Sequence, residues 1–268
     1  MPTFVHDCLK FHYRESGAGL PFVFQHGLGA DVEQSFGLFT PPRGCRLIAF
    51  DCRAHGGTAP IGSDQKVSLD CFATDLVAFL DHLQLDAAVI GGTSMGAAVT
   101  LKCAIQSPHR VLGLVQSRPA WLAGPNQQNA AKFAFVARLL RELGAVRGKQ
   151  EFLDSEFYSS VKEESLAAAD SLCSQFDSPQ AEERAIRLER IPLGAAINSL
   201  EELSDIRVPA LVLANRHDPI HPYEYGEALA EAISQAEFRE ITAKSICAPT
   251  HAIEVQRHLS EFLQQNFL

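Results

Sequence analysis

Apolar residues along this chain recur with two different periods. "LKFHYRE" (Leu9–Glu15) alternates and predicts a strand. "LPFVFQHG" (Leu20–Gly27) and "CRLIAFD" (Cys45–Asp51) are short continuous apolar runs that end in turn formers, the pattern of strands buried on both faces. From Ser68 the spacing changes. Cys71, Phe72, Leu76, Phe79, Leu80 and Leu83 fall at helical intervals, and Ser68 is placed to cap them. "AAVIGG" then predicts a strand, the residues after Ser94 a helix, and "VLGLVQS" a strand again. Much later "PALVLANRHD" and "EFREITA" predict strands, with helices over "PYEYGEALAEAIS" and the closing "HAIEVQRHLSEFLQQNF".

Strands alternating with helices imply an α/β fold, with a mostly parallel central sheet covered by helices on both faces. Between Trp121 and about Asp205 the alternation stops. "NQQNAAKFAFVARLLRELG", "KEESLAAADSLCSQF" and "SPQAEERAIRLERI" all carry helical spacing, the last with Ser178 and Pro179 as cap and first turn. The expected organisation is a core from residues 1–120 and 206–268, with 121–205 a helical cap inserted between two strands, "VLGLVQS" and "PALVLAN". Its aromatic residues, Phe133, Phe135, Phe152, Phe157 and Tyr158, read first as the cap's own core. Arg184, Arg187 and Arg190, beside Glu182, Glu183 and Glu189, read as a solvated, ion-paired face.

One junction carries chemistry. Gly92-Thr93-Ser94-Met95-Gly96 matches G-x-S-x-G and lies between a predicted strand and a predicted helix. A turn this sharp strains the serine backbone and crowds the positions two residues either side, which accounts for both glycines. It lifts the hydroxyl into the cleft, and the following helix points its amides at developing negative charge. A serine nucleophile needs a base, and the base needs an orienting carboxylate.

Asp218 follows the strand "PALVLAN", at a carboxyl end where such an acid belongs. Among the later histidines, His109 ends a helix on the far side and His258 lies inside the last helix. His217 and His221 flank the acid and are placed to shape its site, but they precede the last strand. Position selects His251, in "CAPTHAIE". A developing oxyanion needs two backbone amides. Met95 supplies one and Leu28, in the "HGLG" turn that opens at His26, the other. Arg118 and Trp121, in "SRPAWL", are placed with His26 around the substrate.

With these elements assembled, the chain resembles the α/β-hydrolase fold family over essentially its whole length, and most closely the branch with a helical cap between strands six and seven. "HGLG" matches the family's oxyanion loop, "GTSMG" its nucleophile elbow, "NRHDPIHP" its acid loop and "THAIE" its histidine loop. "DCRAHGGT" (Asp51–Thr58) matches a structural segment, with Ala54 in place of a glycine and Thr58 in place of a serine. Thr250 likewise replaces a frequent glycine. The resemblance implies cofactor-free, metal-free hydrolysis of a small carboxylic ester or lactone through an acyl-enzyme on Ser94. Carbon–carbon bond hydrolysis of a diketone, acyl transfer, and ligand binding without turnover are the alternatives. Dehalogenase and epoxide hydrolase activities of the fold use an aspartate nucleophile and are excluded.

Composition narrows the partners. The 268 residues carry a net charge of −9, from 23 Lys and Arg against 32 Asp and Glu, which disfavours nucleic acid and anionic membranes. No apolar run is long enough to span a bilayer, and the N-terminal residues lack a secretory pattern. The seven scattered cysteines predict reduced thiols and a cytoplasmic protein. A small molecule is the expected partner, and a homo-oligomer is compatible with the chain.

Overall fold

The computed structural model describes residues 2–268. Strands form where the short apolar runs lie: β1 (Thr3–His6), β2 (Leu9–Gly17), β3 (Leu20–Gln25), β4 (Cys45–Phe50), β5 (Ala88–Thr93), β6 (Val111–Ser117), β7 (Ala210–Ala214) and β8 (Ala236–Glu240). The helices are α1 (Val32–Leu38), α2 (Leu69–His82), α3 (Met95–Gln106), α4 (Gln127–Leu153), α5 (Glu156–Glu164), α6 (Leu166–Cys173), α7 (Ile186–Arg190), α8 (Tyr223–Ala232) and α9 (Lys244–Asn266). Ser68 caps α2 as expected, its Oγ accepting from the Cys71 amide at 3.3 Å.

Among the described residues the sheet runs β1-β2-β4-β3-β5-β6-β7-β8. Strand β2 pairs antiparallel with β1 and β4, and every pairing from β4 to β8 is parallel. Alternate residues of these strands feed two separate cores. Val23, Ile48, Ile90, Leu114 and Val212 pack with Phe72, Leu76 and Phe79 of α2 and Val99 of α3. Their neighbours Phe22, Leu47, Val89, Val115 and Leu211 pack with Val255, Leu259 and Phe262 of α9. A strand buried on both faces has no polar side, which is why these segments read as continuous apolar runs.

The parallel strands bring the carboxyl ends of β3, β5, β6, β7 and β8 to one edge. The helical segment between β6 and β7 has a third apolar cluster, built on Phe133, Phe152, Leu172, Phe176 and Leu188 and joined by Ile220 from beyond β7. Trp121 belongs instead to the main core. Helix α4 is two helices meeting at Gly144 (φ 74°), a conformation glycine adopts without penalty.

Two expectations change here. Arg184 and Arg187 are buried rather than solvated. Their guanidiniums donate to the carbonyls of Gly56 (2.8 Å) and Ala54 (3.0 Å) in the loop after β4. Charge spacing on a helix does not reveal whether carbonyls or water will receive the donors. The last helix also starts earlier than expected. It begins at Lys244, breaks at Cys247 (φ −156°) and resumes, with Pro249 in the first turn of the second segment. His251 therefore sits on a helix and not in a loop.

Candidate active site

Ser94 links β5 to α3 with φ 56° and ψ −114°, a conformation costly for any residue with a side chain. Close packing holds it there. A Cβ on Gly92 would come within 2.3 Å of the Gly96 carbonyl carbon, and one on Gly96 within 2.2 Å of the Gln25 carbonyl oxygen. Only hydrogen at both positions lets α3 approach β3 and β5 this closely. The Ser94 amide donates to the Ser117 carbonyl at 3.0 Å, tying the turn to the end of β6.

The "HGLG" turn lies beside it. A Cβ on Gly27 would reach 3.5 Å from the Ser94 Cβ. The Gly27 amide donates to Gln34 Oε1 (2.7 Å), and the Ala30 amide to the Gly27 carbonyl (3.1 Å). Gly29 completes the turn at φ 81°, against Gln175 of the helical segment. Gln175 Nε2 in turn donates to the Leu28 carbonyl at 3.3 Å. The Leu28 and Met95 amides hydrogen-bond to nothing among the described residues. Met95 is the first residue of α3, where the helix has no internal acceptor to offer.

Gly27, Leu28, Gln34, Thr93 and Ser94 line a pocket with Arg118, Asp218, His221 and Lys244, roofed by Phe133 of α4 and Ala167, Ala168 and Ser171 of α6. Asp218 follows β7. Its Oδ1 accepts the Ile220 and His221 amides at 3.1 and 3.3 Å, closing a tight turn on itself. Its Oδ2 lies 2.9 Å from both the Arg118 guanidinium and His221 Nδ1. Arg118 can only donate, and its nitrogen also lies 2.9 Å from His221 Nδ1, so Nδ1 donates to Oδ2 in one tautomer and accepts from Arg118 in the other. Burial alone would raise the Asp218 pKa. His221 and Arg118 outweigh it and hold the carboxyl ionised, well below the usual range.

His251 lies outside that lining, though near enough for Arg118, Lys244 and Asp218 to act on its charge. Its ring is buried, Nδ1 is bonded to the Thr242 carbonyl at 2.8 Å, and the residue does not line the pocket. Asp218 makes no hydrogen bond to it among the described residues, so the expected Asp218–His251 pair is absent. The cause is the early start of α9, which puts residue 251 almost two turns along the element instead of at the strand end. Burial, then Arg118, pushes the imidazole down to about 4.

Of the three residues placed around the substrate, Arg118 lines the pocket but is already paired with Asp218. His26 is fully buried outside it, with Nε2 accepting from the Cys52 amide (3.0 Å) and Nδ1 donating to the Gly27 carbonyl (2.8 Å). Trp121 is packed in the core. Lys244 is a residue the sequence did not single out. It opens α9 directly after β8, lines the pocket and makes no hydrogen bond or ion pair among the described residues. Burial and Arg118 push its ammonium down to about 8. His221 was visible beside the acid as a residue able to shape its site, but its place before the last strand argued against it as the base. The three-residue spacing of a self-closing aspartate turn was the signal available.

Comparison with known proteins agrees with this architecture. The model of the alpha/beta hydrolase fold family matches residues 21–245, a stretch that contains Ser94, Asp218, His221 and Lys244 and stops short of His251. The chain is 29% identical over 215 residues to 3-oxoadipate enol-lactonase 2 of Acinetobacter baylyi, covering 78% of this chain and 77% of that one. The crystal structure of the enol-lactonase from Burkholderia xenovorans superposes with a TM-score of 0.75 at 21% identity, over 98% of this chain and 100% of that one. A thermophilic esterase from Thermogutta terrifontis gives 0.76 at 21% identity, over 99% and 97%. A parallel sheet with a strained serine between its fifth strand and the next helix, together with a family match over most of its length, makes this chain a member of the alpha/beta hydrolase fold family.

Proposed function

We propose that the protein is a serine hydrolase that cleaves a small carboxylic ester or lactone through an acyl-enzyme on Ser94, with residues 121–205 acting as its cap. One observation supports this reading: the strained Ser94 lines a pocket with Leu28, and the backbone amides of Leu28 and of the adjacent Met95 are unbonded among the described residues. The chemistry follows from that placement. Ser94 Oγ adds to the acyl carbonyl as a base removes its proton. The Leu28 and Met95 N–H groups stabilise the oxyanion, a contribution of roughly 3 kcal/mol per donor in comparable sites. Collapse expels the alcohol and leaves acyl-Ser94, which water then hydrolyses. Asp218 keeps the site's base oriented and stabilises its protonated form. The relatives named as an enol-lactonase and an esterase support ester and lactone carbonyls as the substrate class.

Release of p-nitrophenol from short acyl esters, together with hydrolysis of a set of lactones, tests the reading. Wild type is expected to turn over at least one of them, and Ser94→Ala to lose on the order of 10³-fold or more in kcat. Turnover unchanged in Ser94→Ala would overturn the assignment.

A further inference from the structure

We propose that the base serving Ser94 is His221, held by Asp218 from three residues away in the same turn. The proposal rests on Ser94 being the nucleophile. Both side chains line one pocket, and Asp218 is the one carboxylate that lines it among the described residues. His221 Nδ1 lies 2.9 Å from Asp218 Oδ2. The ring is 8% exposed, yet its Nε2 has no hydrogen-bond partner among the described residues. A buried nitrogen left unbonded is costly unless something that arrives can bond to it. In the tautomer whose ring proton lies on Nδ1 and is donated to Asp218 Oδ2, the Nε2 lone pair is free, and the ring lines the same pocket as Ser94. This is the arrangement that lets an imidazole accept a hydroxyl proton while a carboxylate stabilises the resulting cation. The chain order of serine, acid and histidine is preserved, with the last interval shortened to three residues.

The cationic groups around the imidazole favour its neutral form and Asp218 favours the charged one. Arg118 approaches from the end of β6, Lys244 from the start of α9 and Asp218 from the turn itself, while Lys132 of α4 donates to the Pro219 carbonyl behind it. Burial and Arg118 lower the His221 pKa, and Asp218 opposes them. The ring is thus uncharged at neutral pH and able to act as a base. During acylation Nε2 takes the Ser94 proton as Oγ bonds to the acyl carbon, then returns it to the leaving oxygen. During deacylation it takes a proton from water, whose oxygen attacks the acyl carbon, and hands it to Ser94 Oγ as the acid departs.

The test is covalent labelling of Ser94 by an aryl phosphonofluoridate, read by mass spectrometry as a rate against pH. Wild type is expected to label at Ser94 with a rate that rises through a single ionisation below 6.5 and is flat above it. His221→Gln should slow labelling by about 10²-fold or more. His251→Gln should keep both the rate and the profile. Labelling of His221→Gln at the wild-type rate overturns the proposal, as does loss of labelling in His251→Gln with its folding intact. A wild-type profile that instead rises near pH 8 also overturns it, points to Lys244 as the base, and needs no variant to be folded. Absence of label at Ser94 in wild type would instead remove the nucleophile itself, and the proposal with it.

Discussion

Adding one methyl group at Gly92 should separate α3 from the sheet. The Cβ of Gly92→Ala would sit 2.3 Å from the Gly96 carbonyl carbon and 2.7 Å from the Gly96 Cα. Ordinary contact begins at 3.4 Å, so one side must yield by about 1 Å. The obstacle is backbone, which no rotamer change can clear. Overpacking of this kind costs about 1–3 kcal/mol. For a domain of this size that is a fall in Tm of roughly 2–10 °C. The displaced element carries the Met95 amide and Ser94, so kcat/KM on an acyl ester should fall by about 10²-fold, the usual penalty for misplacing catalytic groups by 1 Å. Gly37→Ala is the control. It lies exposed in α1 with no heavy atom within 4 Å of a Cβ, and should gain roughly 0.5–1 kcal/mol from helix propensity. Calorimetry and ester turnover on the two variants decide the matter. A Gly92→Ala protein within about 1 °C of wild type would show that close approach does not hold the elbow.

Two further perturbations probe the site's surroundings. Lys244→Met should raise Tm at pH 7 by removing a half-buried cation that faces Arg118. Because the folded protein holds this proton less tightly than the unfolded chain does, the cost is full below about pH 8 and fades as pH rises toward 10.5. Calorimetry at pH 7 and pH 10 should therefore show the advantage shrinking, and an equal advantage at both would contradict the burial argument. In Gly29→Ala a Cβ would lie 2.0 Å from Gln175 Oε1, while Gln175→Ala removes both that obstacle and the bond to the Leu28 carbonyl. Urea unfolding of the two single variants and the double variant should give a coupling energy of about 0.5–3 kcal/mol, and simple additivity would refute a direct contact.

Sterics that act within a few residues were legible in the chain itself. Gly92 and Gly96 announced the elbow, and the uninterrupted apolar runs of β3, β5 and β7 announced strands with two buried faces. The parallel character of the sheet followed from the alternation of strands with helices. Choosing among histidines was another matter. The imidazole that meets Asp218 is decided by a turn in which the aspartate accepts the amides of Ile220 and His221, and by the residue at which α9 begins. Pro249 and the irregular stretch around it resemble a loop, whereas the chain kinks at Cys247 and remains helical. Lys244 passed unnoticed because a lysine at a helix start normally reaches water. It lines a pocket together with Phe133 of α4 and Ala167 of α6, which are distant in sequence. Arg184 and Arg187 misled for the same reason, since their acceptors, the carbonyls of Ala54 and Gly56, lie some 130 positions away.

Those two arginines also set how firmly the helical segment is seated. Each presses a full positive charge against peptide dipoles, with no carboxylate hydrogen-bonded to it among the described residues, and Arg187 is pushed down to about 10 by burial and by Arg184. A guanidinium held this way recovers its hydration whenever the segment lifts, which offsets much of the cost of wetting the apolar surface beneath it. The docked state is thus shallower than its packed interface implies.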